Sequence, residues 1–164
     1  MAAVRAYIGL GSNLDDPVAQ VRRALAALTT LPHSRRVAHS SLYRSRPLGP
    51  SDQPDYINAV AAVETELTPE ALLAALQGLE STQGRRRDGQ RWGPRTLDLD
   101  ILLFGDTVMA SAELVIPHPG LHEREFVLYP LQEIAPGLRL PDGSTLAQWV
   151  ARCPDNGLVC LDET

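Results

Sequence analysis

The chain contains no lysine; all fifteen of its basic residues are arginine. A Walker-type phosphate loop needs the lysine of its Gly-x-x-x-x-Gly-Lys-Ser/Thr run, so that route to a nucleotide is closed. Gly9-x-Gly11 lacks the third glycine of a dinucleotide fingerprint and reads as a turn. Hydrophobic residues make up 44% of the chain but come in short runs. None approaches the roughly 18 consecutive apolar residues of a membrane span. No basic head, apolar stretch and small-residue cleavage site follow one another after Met1, so a cytoplasmic location is expected. Only two cysteines are present, Cys153 and Cys160, with no Cys or His at zinc-ligand spacing; they read as unpaired thiols. A net charge of −5 argues against a general nucleic-acid binder.

What is present is organised as one expected domain, residues 1–164, long enough to bury a core without staples. Ala6–Leu10 reads as a first strand, ending in the turn signal Gly11-Ser12-Asn13. Asp16-Pro17 reads as an N-cap followed by proline at the first helical position, and Val18, Val21, Leu25 and Leu28 carry a helix to about Leu31. Val37–Ser45 and Tyr56–Glu66 are strand candidates. Thr68-Pro69 opens a second helix whose apolar stripe is Leu72, Leu76 and Leu79, with Gln77 and Glu80 on a different face. Leu97–Phe104 is a further strand, closed by a Gly105-Asp106 turn. Arg124–Ile134, interrupted by Pro130, and Leu146–Arg152 predict two short helices. The order strand, helix, strand, strand, helix, strand implies an α+β, ferredoxin-like split βαβ core. Its antiparallel four-stranded sheet would carry both helices on one face, and a C-terminal extension would follow.

The segment Arg91-Trp92-Gly93-Pro94-Arg95-Thr96-Leu97-Asp98-Leu99-Asp100-Ile101 is the most informative. In a strand, side chains alternate, so Asp98 and Asp100 share one face while Leu97, Leu99, Ile101 and Leu103 point into the core. Paired carboxylates offer the hard oxygen ligands that suit Mg²⁺. An isolated Asp-x-Asp is more often just a solvated pair, but here arginines precede it. Arg85, Arg86, Arg87, Arg91 and Arg95 fall within eleven positions. Phosphoryl transfer needs metal ions and positive donors around the moving group, and arginine's planar fork grips two phosphate oxygens at once. Gly84, Gly89 and Gly93 give this loop the composition of a lid. Tyr56 and Asn58 also share a strand face, a ring to stack on a flat heterocycle and an amide to read its edge. Taken alone, that pair is more often a strand-end tyrosine beside a satisfied amide. Ile116-Pro117-His118-Pro119, with Arg124 and Phe126 following, forms a third group.

Together these segments resemble one family, the hydroxymethyldihydropterin pyrophosphokinases. The resemblance rests on Ile8-Gly9-Leu10-Gly11-Ser12-Asn13-Leu14, Tyr43-Arg44 with Pro47-Leu48-Gly49-Pro50, and Asp52-Gln53-Pro54-Asp55-Tyr56-Ile57-Asn58-Ala59. Gln83-Gly84-Arg85, the run Arg91 through Ile101, Pro117-His118 and Pro130-Leu131 complete it. It implies transfer of pyrophosphate from ATP, the co-substrate, to the hydroxymethyl group of 6-hydroxymethyl-7,8-dihydropterin, giving AMP and the pterin diphosphate in folate biosynthesis. Asp98 and Asp100 would bind two Mg²⁺ ions. Tyr56 and Phe126 would sandwich the pterin and Asn58 would read its edge, helped by backbone at Ser45 and Leu48. Gln77, Glu80, Trp92, Ile101, His118 and Arg124 would hold ATP. Arg85 and Arg95 would stabilise charge during transfer, and Arg87 would support the closed lid. The expected partners are these small molecules alone, without nucleic acid or membrane, and the expected state is a monomer. Arg46, Pro119 and His122 stand where the family more often has proline, an aromatic and lysine. A ferredoxin-like RNA-binding module would instead show an aromatic-rich strand, whereas Leu97–Phe104 holds one aromatic and two acids. A non-catalytic paralogue that binds pterin or nucleotide would not need the intact Asp pair and arginines.

Overall fold

Strand and helix periodicities account for the first part of the chain. The computed structural model describes residues 3–14, 16–46, 55–82 and 97–161. It places β1 at Val4–Ser12, α1 at Pro17–Ala27, β2 at Ser34–His39, β3 at Leu42–Ser45, β4 at Tyr56–Thr65, α2 at Pro69–Thr82 and β5 at Asp98–Phe104. Asp16 caps α1 by accepting from the Ala19 amide at 3.4 Å, with Pro17 in the first turn, where a missing N–H is harmless. Thr68 opens α2 in the same way, its hydroxyl accepting from the Ala71 amide at 3.1 Å. The main sheet runs β5-β1-β4-β3 with β2 also paired to β4, and every pairing among these strands is antiparallel. This is the expected split βαβ arrangement.

Three local readings need correction. Gly9 and Gly11 lie inside β1, which continues to Ser12, so they are strand residues and not a turn. The second strand is two strands, because β4 is long enough to pair both. Residues Ala61–Thr65 take β2 and Tyr56–Asn58 take β3. At the break the Ser40 hydroxyl accepts from the Val60 amide at 2.9 Å. The Glu133 carboxylate accepts from the Ser41 amide, the Ser41 hydroxyl and the Tyr43 phenol. Burial and that hydrogen bond push the Tyr43 pKa well above its ordinary value. The third correction concerns Leu103. Ile8 pairs with Ile101 but Tyr7 pairs with Leu103, which leaves Leu102 as an extra residue. Such a bulge reverses the alternation beyond it, so Leu99 and Ile101 face α1 and α2 while Leu103 joins the opposite core.

The C-terminal extension builds that opposite core. A short hairpin, β6 at Met109–Ala110 and β7 at Val115–Ile116, leads to α3 at Glu125–Ile134, α4 at Leu146–Arg152 and β8 at Val159–Leu161. Val127, Leu128 and Leu131 of α3 pack with Tyr7, Val60 and Ala62 on the sheet face away from α1 and α2. Thr145 and Gln148 form a reciprocal capping box on α4, and β8 adds to the free edge of β3. Pro130 lies within α3 and cannot donate the helical hydrogen bond to the Phe126 carbonyl. Among the described residues, no helix is long and apolar enough to cross a membrane.

The sheet is therefore a plate between two cores of equal standing. Leu76 of α2 and Leu128 of α3 are both fully buried, so truncating either to alanine should cost about 2–5 kcal/mol. Urea unfolding checks this. A loosely attached extension would make Leu128→Ala nearly silent while Leu76→Ala remained costly.

Candidate active site

The sheet face that carries α3 is only partly covered, and what is left open is set by β1. Directly opposed residues on paired strands project to the same face. Gly11 is opposed by Asp98 of β5 on one side and Asn58 of β4 on the other; Asn58 is opposed in turn by Tyr43. One step along, Gly9 lies between Asp100 and Val60. The floor between the two aspartates and Asn58 is thus bare backbone. It is already close-packed at its margins. A Cβ on Gly11 would sit 3.3 Å from the Asn58 Oδ1, and one on Gly9 would sit 3.3 Å from the Leu102 side chain. Asp98 is half-buried and Asp100 exposed, whereas the intervening Leu99 is buried on the other face. The expected shared face of the two carboxylates is found.

On the far side of the floor, Asn58 is buried and donates through Nδ2 to the Ser45 hydroxyl at 2.7 Å. Tyr56 is opposed by Ser45 and shares the face with Asn58. Phe126 comes from the first turn of α3 and is partly buried against the second core. The residues before α3 are tied to β5, since the His118 amide donates to the Leu102 carbonyl, at the bulge, at 3.0 Å. His118 Nδ1 accepts from the Gly120 amide at 3.0 Å, which assigns the imidazole proton to Nε2. Arg124 passes over Gly120, where any Cβ would overlap its side chain, and its guanidinium carbon stands 5.8 Å from the Phe126 ring centroid. His118, Arg124 and Phe126 are thereby brought onto one segment that borders the carboxylate strand. A cavity of about 320 Å³ opens beside it, lined by Pro117, His118, His122 and Leu140 among others.

Two sequence expectations change in character. Ile101 is 2% exposed with its side chain in the α1/α2 core, so only its backbone is available to a ligand. Glu80 is not on a separate face of α2. It continues the row Leu72, Leu76 at i+4 and is 3% exposed, and its Oε2 accepts from the Leu99 amide at 2.8 Å. Gln77, one turn earlier, is half-buried. Leu48, Arg85, Arg87, Trp92 and Arg95 lie outside the described residues, as does the expected lid.

Comparison with known proteins gives the family. The family model for 7,8-dihydro-6-hydroxymethylpterin-pyrophosphokinase matches residues 7–136. Two bacterial proteins, both named 2-amino-4-hydroxy-6-hydroxymethyldihydropteridine pyrophosphokinase, are similar over nearly their whole length. The one from Pseudomonas aeruginosa is 54% identical over 154 residues, covering 94% of each chain. The one from Haemophilus influenzae is 50% identical over 159 residues, covering 97% of this chain and 99% of the relative. The chain belongs to the hydroxymethyldihydropterin pyrophosphokinase family. It transfers pyrophosphate from ATP to 6-hydroxymethyl-7,8-dihydropterin in folate synthesis. A likeness of fold extends further, to the crystal structure of wild-type HPPK-DHPS from Plasmodium falciparum with pteroate. There the TM-score is 0.73 at 14% identity, over 92% of this chain and 42% of that one.

For a pyrophosphokinase, the residues that sequence reasoning passed over are mainly glycines. Gly9 and Gly11 carry a signal that was available, since glycine at period two within a strand strips one face of side chains. Gly120, which seats Arg124 and orients His118, carries none without the fold.

Burial and, secondarily, the facing Arg124 charge hold the His118 pKa below its ordinary value. The unfolded chain therefore takes up this proton before the folded one as pH falls. The stability it represents is complete above about pH 6.5 and is lost as pH drops through the folded value. Thermal unfolding followed at successive pH values should show a steeper loss on acidification for the wild type than for His118→Gln. Equal slopes would place the titration on another group.

Proposed function

We propose that the glycine-floored row divides the reaction between two ends, with Asp98 and Asp100 as the metal end and Asn58, Tyr56, Ser45 and Phe126 as the pterin end. The observation that carries this reading is the register Asp98–Gly11–Asn58 across three adjacent strands. Strands lie about 4.8 Å apart, so the two functional side chains spring from backbones roughly 10 Å apart. That is comparable to the long dimension of a two-ring heterocycle with a one-carbon arm. A pterin whose edge is read by Asn58 and whose ring stacks between Tyr56 and Phe126 would lie over Gly11 with its hydroxymethyl group toward the aspartates.

The donor set fits magnesium. Two carboxylates on one strand face, half-buried and exposed, leave room for the water and phosphate oxygens that this ion prefers to an all-protein cage. Two Mg²⁺ ions held there would neutralise phosphate charge and lower the hydroxyl's barrier to attack. His118, presenting an Nε2–H donor, and Arg124 are assigned to the triphosphate, with Gln77 and the Ile101 backbone on the nucleotide side. From the resemblance, Trp92 joins them, Arg85 and Arg95 stabilise the transferring group, Arg87 supports closure and the Leu48 backbone assists pterin binding. The hydroxymethyl oxygen attacks the β-phosphorus, the bond from that phosphorus to the α,β-bridging oxygen breaks, AMP departs with that oxygen, and the hydroxyl proton is released. We read the chain as a single domain acting as a monomer. Its exposed free thiol, Cys160, suits the reducing cytoplasm.

Steady-state kinetics with product analysis tests the division. The nucleotide product should be AMP. Asp98→Ala should lower kcat by about a thousandfold, as expected when metal stabilisation worth several kcal/mol is lost, while the protein stays folded. Asn58→Ala should chiefly raise the KM for the pterin, by about tenfold, the worth of one or two neutral hydrogen bonds. Near-normal turnover in Asp98→Ala would remove the aspartates from the metal role. An Asn58→Ala variant that altered only the KM for ATP would reverse the two ends.

A further inference from the structure

Among the described strands, β5 is an edge of the sheet, with β1 on one side only. Edge strands present outward N–H groups, and the amide of Leu99 is one of them. It is met by the carboxylate of Glu80, which accepts from it at 2.8 Å within buried surroundings. Leu99 is the residue between Asp98 and Asp100, so this single bond grips the backbone from which both aspartates spring.

Nothing in helix packing calls for glutamate at this place. Glu80 occupies the row of Leu72 and Leu76, where another apolar residue would complete the core. Burying a carboxylate costs solvation that only good partners offset. A hydrogen bond to an ionised acceptor is shorter and stronger than a neutral one. The outcome is a strand segment whose two outward carboxylates keep a fixed relation, because the peptide groups joining them are held from behind.

We propose that Glu80 is a positioning residue: by fixing the Leu99 amide it holds Asp98 and Asp100 in the arrangement that takes the divalent cation. The proposal rests on the reading of those aspartates as metal ligands. It assigns Glu80 to the strand and not to the nucleotide, where the resemblance put it. Groups that orient metal ligands typically contribute ten- to a hundredfold in metal affinity.

Two substitutions separate reach from charge. Glu80→Asp keeps the charge but is one methylene too short for the amide; Glu80→Gln keeps the reach and an acceptor oxygen but loses the charge. Mn²⁺ is titrated into the full-length variants with the non-reactive analogue α,β-methylene-ATP, and bound metal is read from water-proton relaxation. Circular dichroism and hydrogen exchange at Leu99 are followed in parallel. Glu80→Asp should bind Mn²⁺ about tenfold more weakly and exchange the Leu99 amide faster. Glu80→Gln should stay within about threefold of the wild type, because a neutral acceptor of the same reach keeps the Leu99 amide paired, though more weakly. The reverse order, or wild-type affinity in a folded Glu80→Asp, overturns the proposal. Asp98→Ala, run alongside, tests the underlying reading separately. If it binds Mn²⁺ as well as the wild type, the aspartates are not the ligands, whatever Glu80 does.

Discussion

The site depends on the bare middle of β1. Two glycines at period two strip the side chains from one face of a stretch of a central strand, and the neighbouring strands then face each other across open backbone. A flat ligand needs such a floor. Any residue larger than glycine at position 11 would press on the Asn58 amide oxygen, and one at position 9 would press on Leu102. The same strand is fully buried on its other face through Ile8 and Leu10. Gly9 and Gly11 thus weaken a strand that the core on the reverse side is positioned to hold together.

Much of this is legible in the sequence. Asp98 and Asp100 followed from strand alternation, and so did the pairing of Tyr56 with Asn58, because period two is unambiguous within an unbroken strand. The Thr68-Pro69 and Asp16-Pro17 caps followed from local chemistry that tertiary packing seldom overrides. The failures have equally definite causes. Strand alternation alone puts Leu103 in the wrong core, because a bulge is a property of two strands and leaves no mark on one. Gly9 and Gly11 read as a turn in sequence because glycine marks both turns and bare strand faces. Glu80 reads as part of a different face because its type outweighs its spacing, although 72, 76 and 80 form one helical row.

The bulge has a consequence beyond rotating Leu103. The Leu102 carbonyl receives the His118 amide, so the irregular point of the strand is also where the segment bearing His118 and Arg124 attaches. A regular strand would carry its carboxylates equally well but would place Leu102 differently relative to that segment. The C-terminal extension then serves two purposes. It covers the hydrophobic half of the sheet face with α3, and it delivers His118, Arg124 and Phe126 to the edge of the uncovered half.

The two cores meet the chemistry from opposite sides of one plate. The second core fixes α3, and through it the segment that bears His118, Arg124 and Phe126. The first core fixes α2, which reaches around the edge of β5 to hold Leu99 from behind. Neither helix layer contains the aspartates, yet each constrains the strand that does, one through the His118 amide at Leu102 and the other through Glu80 at Leu99. Two residues separate those two anchor points, and Asp100 is one of them. On the proposed metal role, a carboxylate held this way would lose little freedom on binding a cation, because its backbone has already been fixed by folding. The rigidity of the strand that bears Asp98 and Asp100 is thus a product of where the two cores take hold of it.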